Sequence, residues 1–190
     1  EFPDDAARHM AVNLSARQLQ YPEVVDQVRE VLSEFNVEPG SLILEITESA
    51  MMTDMDTAIE RLQEFKQLGV QLAIDDFGTG YSSLNYLRQF PVDILKIDKS
   101  FVDGLAHEAP SSSLVATVLE LARVLELRAV AEGVEQADQL AHLQDLQCEF
   151  GQGFLLAKPL NPMGLRQVLK SRREMPVTPI TPIAPKVPGS

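Results

Sequence analysis

The sequence predicts an α/β fold, a TIM-type (β/α)8 barrel that lacks its first two strand–helix units. Three observations support this prediction. Apolar strand candidates alternate with amphipathic helical stretches along the chain, which is typical of a parallel sheet with right-handed crossovers. The strand candidates end in polar residues, as barrel strands do at the catalytic face. Six strand candidates occur, where a closed barrel of this kind has about eight.

The strand candidates are short apolar runs, and the run Leu42-Ile-Leu-Glu-Ile46 is representative. Runs of this length that lack strict apolar–polar alternation indicate strands buried on both faces. We expect strands at about residues 11–14, 42–47, 71–75, 93–97, 128–132 and 153–156.

Helices are predicted between the strands from amphipathic periodicity. Asp54 and Ser111 are candidate N-caps, and Gly69 stands where a helix should stop. The predicted helices span residues 21–35, 54–68, 82–89, 111–125, 136–146 and 162–173.

Two parallel architectures fit this alternation. A doubly wound sheet concentrates function in one or two loops, whereas a barrel draws it from the ends of several strands, and the six polar strand ends favour the barrel. We therefore assign residues 1–175 to a partial barrel domain. Residues 176–190 carry a proline at every third position, which predicts an extended polyproline tail, interpreted as a stiff linker or terminus.

Composition narrows the function further. The formal net charge of -12 argues against a DNA or RNA polymer as the partner, since such a surface needs a basic stripe. Cys148 is the only cysteine, which excludes an internal disulfide and favours a reducing cytoplasmic location. The sequence shows neither a secretion signal nor an apolar run long enough to span a membrane.

The polar residues at the strand ends are chemically similar to one another. Asn13, Glu45, Asp75 and Asp76 offer oxygen ligands, which favour Mg²⁺, Mn²⁺ or Ca²⁺ over zinc. Two adjacent aspartates at the end of a buried strand are costly without a cation. Paired cations bridged by carboxylates suit phosphoester hydrolysis, in which Lys96 would orient water or neutralise a phosphate oxygen and Glu132 would complete the second metal's ligands.

Each candidate also has a structural interpretation. Asn13 and Gln152 can serve as turn residues, and Glu45 with Glu48 can form a solvated pair. Lys96 and Asp98 can form an ion pair inside the barrel. The functional interpretation depends on the joint pattern of these residues, not on any one of them.

That joint pattern resembles the EAL domain, a class of cyclic di-GMP phosphodiesterases. The resemblance covers residues 11 to about 160 and is carried, in order, by Val12-Asn-Leu-Ser-Ala16, Leu44-Glu-Ile-Thr-Glu-Ser49, Asp75-Asp-Phe-Gly-Thr-Gly-Tyr-Ser-Ser83, Leu95-Lys-Ile-Asp98, Val130-Ala-Glu-Gly-Val-Glu135 and Gly151-Gln-Gly-Phe154. It implies hydrolysis of cyclic di-GMP to linear 5′-pGpG with two Mg²⁺ or Mn²⁺ ions.

The resemblance also implies residue roles. Asn13, Glu45 and Asp75 match ligands of the first metal, and Asp75, Asp76 and Glu132 match ligands around the second. The candidate catalytic residues are Lys96, which matches the lysine that holds the nucleophilic water, Glu132 and Glu135. Glu48 matches the anchor of the loop 77–84, and the substrate and loop candidates are Glu48, Gly78, Thr79, Gly80, Asp98 and Gln152.

The resemblance further implies a homodimer formed through residues 77–84 and an upstream sensory or GGDEF-type domain. One departure stands out, because the Glu-Ala-Leu triplet that names the family, whose glutamate is a metal ligand, is absent from this sequence. A receptor that binds cyclic di-GMP without cleaving it, or an inactive fragment, therefore remains an alternative to the enzyme.

Overall fold

A computed structural model of the protein describes residues 9–78, 87–105 and 109–171. Within these residues, six parallel strands form one sheet in sequence order, and the sheet is a half-barrel. The strands are β1 Met10–Asn13, β2 Leu42–Thr47, β3 Gln71–Phe77, β4 Ile94–Ile97, β5 Arg128–Ala131 and β6 Phe150–Gly151.

Helices connect the strands, as the alternation predicted. They are α1 Ala16–Leu19, α2 Glu23–Glu34, α3 Glu48–Met52, α4 Met55–Leu68, α5 Lys99–Asp103, α6 Ala109–Val124, α7 Ala137–Asp145 and α8 Pro162–Ser171, with a 3₁₀ turn at Pro39–Ser41. Most of the predicted helix 82–89 and the whole of the tail 176–190 lie outside the described residues. None of the described helices is both long and apolar enough to cross a membrane.

The predicted boundaries of α4 are confirmed. The Asp54 side chain accepts a hydrogen bond from the Thr57 amide, and Gly69 ends the helix with φ at 88°, in the left-handed region. The predicted N-cap at Ser111 is wrong, because α6 begins two residues earlier, at Ala109. Pro110 suits the first turn of a helix, where its missing N–H costs nothing.

Three short helices, α1, α3 and α5, were not predicted. Each is separated from the preceding strand by at most two residues, and each has a side-chain cap. Ser15 caps α1, Thr47 caps α3 and Asp98 caps α5. A capped first turn needs only a few residues, so these helices are too short to produce a visible periodicity.

The predicted last strand at 153–156 is also wrong, since β6 is Phe150–Gly151. The Leu155 amide instead donates to the Val134 carbonyl, and the Leu156 amide donates to the Gly153 carbonyl, which closes a turn. A Cβ at Gly153 would lie 2.6 Å from the Val134 carbonyl carbon, so glycine permits this close approach. The apolar run is therefore a turn that packs on the loop after β5.

The core lies between the sheet and the helices. Alternate strand residues such as Ile46, Leu72 and Leu95 are fully buried and pack with α4 residues including Phe65 in one hydrophobic cluster. Because strand side chains alternate between faces, the intervening residues occupy the other face, which is the inside of the barrel. Glu45 and Lys96 are among them, and this places charged groups where the strands converge.

Candidate active site

The candidate site lies at the carboxyl ends of β2 to β5, where the sheet register brings the polar residues level. Asn13 of β1 pairs with Glu45 of β2, and Thr47 pairs with Asp75 of β3. Ile97 pairs with Ala131, so Lys96 and Glu132 end adjacent strands. Residues distant in sequence therefore converge on one edge, as the predicted barrel requires.

Lys96 is the centre of this arrangement. Its side chain is 5% exposed, and its Nζ lies 2.9 Å from Glu45 Oε1, 3.0 Å from Asp75 Oδ1 and 2.6 Å from Glu132 Oε1. Burial alone would lower the pKa of Lys96, but the hydrogen bonds to Glu132, Glu45 and Asp75 outweigh it and raise that pKa above its ordinary value. Lys96 therefore stays protonated at neutral pH.

Asp75 and Asp76 both reach the site because β3 is irregular at its end. Successive strand residues normally point to opposite faces. Here the pairing with β4 shifts register between Ile74 and Phe77, and Asp76 takes φ 54°, in the left-handed region. This bulge turns Asp76 toward the same side as its neighbour. Ligand atoms of Asp75, Asp76 and Glu132 consequently lie within 4.8 Å of one another.

The electrostatics of the cluster favour a bound cation. One ammonium, that of Lys96, stands against the carboxylates of Glu45, Asp75, Asp76 and Glu132. Burial, followed by the charges of Asp75 and Asp98, raises the pKa of Asp76. Burial raises the pKa of Glu132, although Lys96 opposes this. Crowded oxygen ligands with excess negative charge are the donor set that a hard divalent cation takes, so these residues fit a metal ion.

Asp98 belongs to the rim of the site and does not pair with Lys96 as the structural alternative supposed. Its carboxylate accepts hydrogen bonds from the Ser100 amide, at 3.0 Å, and from the Ser100 hydroxyl, and so caps α5. Burial acts against it, but the bonds from Ser100 lower the pKa of Asp98. Its charge also helps to raise the pKa of Asp76, which links the cap to the acidic cluster.

Glu48 joins the site to the start of the loop 77–84. It is 3% exposed, and its Oε2 accepts a hydrogen bond of 2.9 Å from the Gly78 amide. Gly78 has φ 96°, and a Cβ there would lie 2.9 Å from Cε2 of Phe101. The anchoring contact expected of Glu48 is thus present at Gly78, while Thr79 and Gly80 lie outside the described residues.

Three further predicted site residues also lie outside the Lys96 cluster. Glu135 is exposed, and its Oε1 lies 2.6 Å from Nζ of Lys99. Gln152 has an exposed side chain, and its backbone bonds to Ala131 and Val134. Asn13 is level with Glu45 but exposed on β1.

Sequence reasoning missed Lys99 and Phe101, both of which contact predicted site residues. Their positions directly after Leu95-Lys-Ile-Asp98 were the available signal. An exposed lysine or a phenylalanine in a helix does not indicate a functional site from sequence alone. Only the three-dimensional contacts identify these two residues.

Comparison with known proteins identifies the class. The EAL domain profile matches residues 2–159, so this chain belongs to the EAL domain family. Both the predicted family and the partial barrel fold are confirmed.

Two relatives are named as cyclic di-GMP phosphodiesterases. The chain is 46% identical over 152 residues to the bifunctional diguanylate cyclase/cyclic di-GMP phosphodiesterase MucR of Pseudomonas aeruginosa, covering 80% of this chain and 22% of MucR. It is 42% identical over 151 residues to the cyclic di-GMP phosphodiesterase PdeR of Escherichia coli, covering 80% of this chain and 23% of PdeR. The chain therefore spans about a fifth of the length of these curated relatives.

Two solved structures resemble this chain in fold as well as in sequence. A PaMucR phosphodiesterase in complex with c-di-GMP matches with a TM-score of 0.80 at 45% identity, covering 83% of this chain and 64% of that one. The EAL domain of DcpA from Mycobacterium smegmatis matches with a TM-score of 0.82 at 40% identity, covering 86% and 73%.

Proposed function

We propose that this chain carries the phosphodiesterase site that hydrolyses cyclic di-GMP to linear 5′-pGpG. The observation that carries the proposal is the buried Lys96, which meets Glu45, Asp75 and Glu132 at hydrogen-bond distance beside Asp76. The names of MucR and PdeR, and the c-di-GMP complex of PaMucR, support the substrate.

The carboxylates would hold two divalent cations, Mg²⁺ or Mn²⁺. Asn13, Glu45 and Asp75 would bind one, and Asp75, Asp76 and Glu132 would bind the other. A bound cation lowers the pKa of water and neutralises phosphate oxygens. The oxygen-only donor set supports this choice of metals over zinc.

The protein groups would divide the remaining work. Lys96 keeps its proton, so it would orient the attacking water or a phosphate oxygen and would not act as the base. Glu132 would complete the ligands of the second cation, where its Oε1 lies 2.6 Å from the Lys96 ammonium. Glu48 would hold the start of the loop 77–84 through Gly78.

The partner predictions extend beyond the described residues and remain proposals. An upstream sensory or GGDEF-type domain is supported by the bifunctional name of MucR. The homodimer formed through residues 77–84 rests on the family resemblance alone. A cytoplasmic location is supported by the buried, unpaired thiol of Cys148.

The test is turnover of cyclic di-GMP by the full-length protein and by Asp75→Asn, with Mn²⁺ or Mg²⁺. Asp75 contacts Lys96 and belongs to the metal cluster, so we expect kcat to fall by more than about 100-fold. Asp26→Asn is the matched control, since Asp26 lies exposed on α2 and pairs only with Arg29 among the contacts described. Saturable binding without turnover by the wild type would contradict the enzyme and support the receptor.

A further inference from the structure

The loop that follows β5, residues 132–135, is held at both ends by lysines, Lys96 of β4 and Lys99 at the start of α5. Lys96 Nζ lies 2.6 Å from Glu132 Oε1, inside the acidic cluster. Lys99 Nζ lies 2.6 Å from Glu135 Oε1, on the rim. The two lysines are three residues apart, as are the two glutamates, so the contacts form a matched pair.

Lys99 is itself well positioned. It is the first residue of α5, whose start is fixed by the Asp98 cap. Its aliphatic stem lies on Gly133, where a Cβ would stand 2.7 Å from both Cβ and Cδ of Lys99. Gly133 also has φ 68°, in the left-handed region, so the position disfavours a side chain twice. The absence of a side chain at Gly133 therefore allows Lys99 to pack against the backbone there.

The pair adds little to stability. The Lys99 and Glu135 side chains are 45% and 39% exposed, and ion pairs of that kind are weak because solvent screens them. Its geometry nevertheless limits the loop, since Glu132 and Glu135 are separated by two residues. Fixing Glu135 restricts the positions that Glu132 can take.

We propose that Lys99 is a positioning residue that holds the loop 132–135 so that Glu132 stays within the acidic cluster. Glu135 then acts through Lys99 and does not touch the substrate. This inference rests on the proposed function for its effect on turnover, but its effect on metal binding is separate from catalysis.

The experiment compares Lys99→Met with Lys99→Arg in the full-length protein. We expect Lys99→Met to weaken Mn²⁺ binding about 2- to 5-fold in calorimetric titration, which is the range that a solvent-exposed ion pair can contribute. Lys99→Arg keeps the charge and should bind Mn²⁺ like the wild type. Lys66→Met is the matched control, because Lys66 pairs with Asp93 at the opposite end of β4. It should leave Mn²⁺ affinity unchanged.

A charge exchange separates positioning from direct contact. If the pair acts only by holding the loop, the double variant Lys99→Glu/Glu135→Lys should recover the Mn²⁺ affinity and kcat that each single variant loses. An unchanged Mn²⁺ affinity in Lys99→Met, or a double variant as impaired as Glu135→Lys, would overturn the inference. A wild type that binds Mn²⁺ without turnover would refute the proposed function, and the affinity of Lys99→Met would still decide the role of Lys99.

Discussion

The buried charge of Lys96 is compensated by the carboxylates around it. An isolated ammonium in the core would lose its proton or destabilise the fold, but three carboxylates at 2.6 to 3.0 Å keep it charged. The dependence is mutual, because the same ammonium offsets the repulsion among Glu45, Asp75 and Glu132. Removing the ammonium would therefore leave buried carboxylates without a counter-charge, and removing the carboxylates would leave a buried ammonium without one.

Replacing Lys96 with methionine should destabilise the metal-free protein by about 3–5 kcal/mol, since it leaves buried carboxylates without a counter-charge. Urea unfolding with a chelator measures the loss. Added Mn²⁺ should reduce it, because a cation replaces the missing charge. The Lys66–Asp93 pair is about one-third exposed, so Lys66→Met should cost less than about 1 kcal/mol. Equal losses in the two variants would contradict this account.

Cys148 provides a second prediction at the scale of a residue. It is 1% exposed, and its Sγ donates to the Phe150 carbonyl. Burial raises the pKa of the thiol, so the folded state retains this proton to higher pH than the unfolded state. The resulting stability is present below the ordinary value of 9.0 and is lost as pH rises through the folded pKa.

Wild type and Cys148→Ala should therefore differ in the pH dependence of unfolding. Urea unfolding between neutral and alkaline pH gives the free energies, and the wild type should lose stability more steeply above 9.0. The thiol should also react with a disulfide reagent slowly in the native protein and rapidly in urea. If the free energies of unfolding of the two proteins change with pH in parallel, or if the thiol reacts rapidly in the native protein, then burial of Cys148 does not control its ionisation.

At the scale of elements, much of the fold followed from periodicity and punctuation. The α4 boundaries were predictable because Asp54 and Gly69 act locally. The position of β6 was not, because the apolar run after Gly151 forms a turn against Val134, a contact distant in sequence. The same holds for the site. Polar strand ends identified Lys96 and its partners, but the Lys99–Glu135 pair depends on how two loops meet.

The junction between β3 and α5 gives a prediction at this scale. Gly78→Ala should destabilise the protein by about 1–2 kcal/mol through its left-handed φ, and further because the added Cβ would lie 2.9 Å from the Phe101 ring. The double variant Gly78→Ala/Phe101→Leu should recover only the stability lost to the steric contact with the ring. Gly40→Ala is the control, since a Cβ there meets nothing within 4 Å. Thermal unfolding compares these three variants with the wild type, and a neutral Gly78→Ala would show that the junction is not tight.

The described part of the molecule is a half-barrel with exposed apolar residues at its edges. Met10 and Val12 of β1 are 60% and 46% exposed, and Phe154, in the turn after β6, and Met163 of α8 are also exposed. Unpaired strand edges and apolar patches favour association. The solved EAL domains extend beyond the matched region, since this chain covers 64% and 73% of the two compared.

The 190 residues alone should therefore bind a hydrophobic dye and self-associate, whereas a longer chain of EAL-domain length should do so less. Light scattering after size-exclusion chromatography measures the association. Met10→Lys, which places a charge on the edge, should reduce it. A monomeric chain that does not bind the dye would show that the edges are protected.

The bulge at Asp75 and Asp76 has an evolutionary consequence. It aligns two neighbouring carboxylates by adding one residue between Ile74 and Phe77 relative to β4. Deleting that residue would restore regular pairing but leave a single carboxylate opposite Lys96, because the extra residue of the bulge is itself one of the two aspartates. Descendants of this sequence can exchange residues around the site, but the number of residues across the bulge is fixed, so insertions and deletions there should be purged before most substitutions.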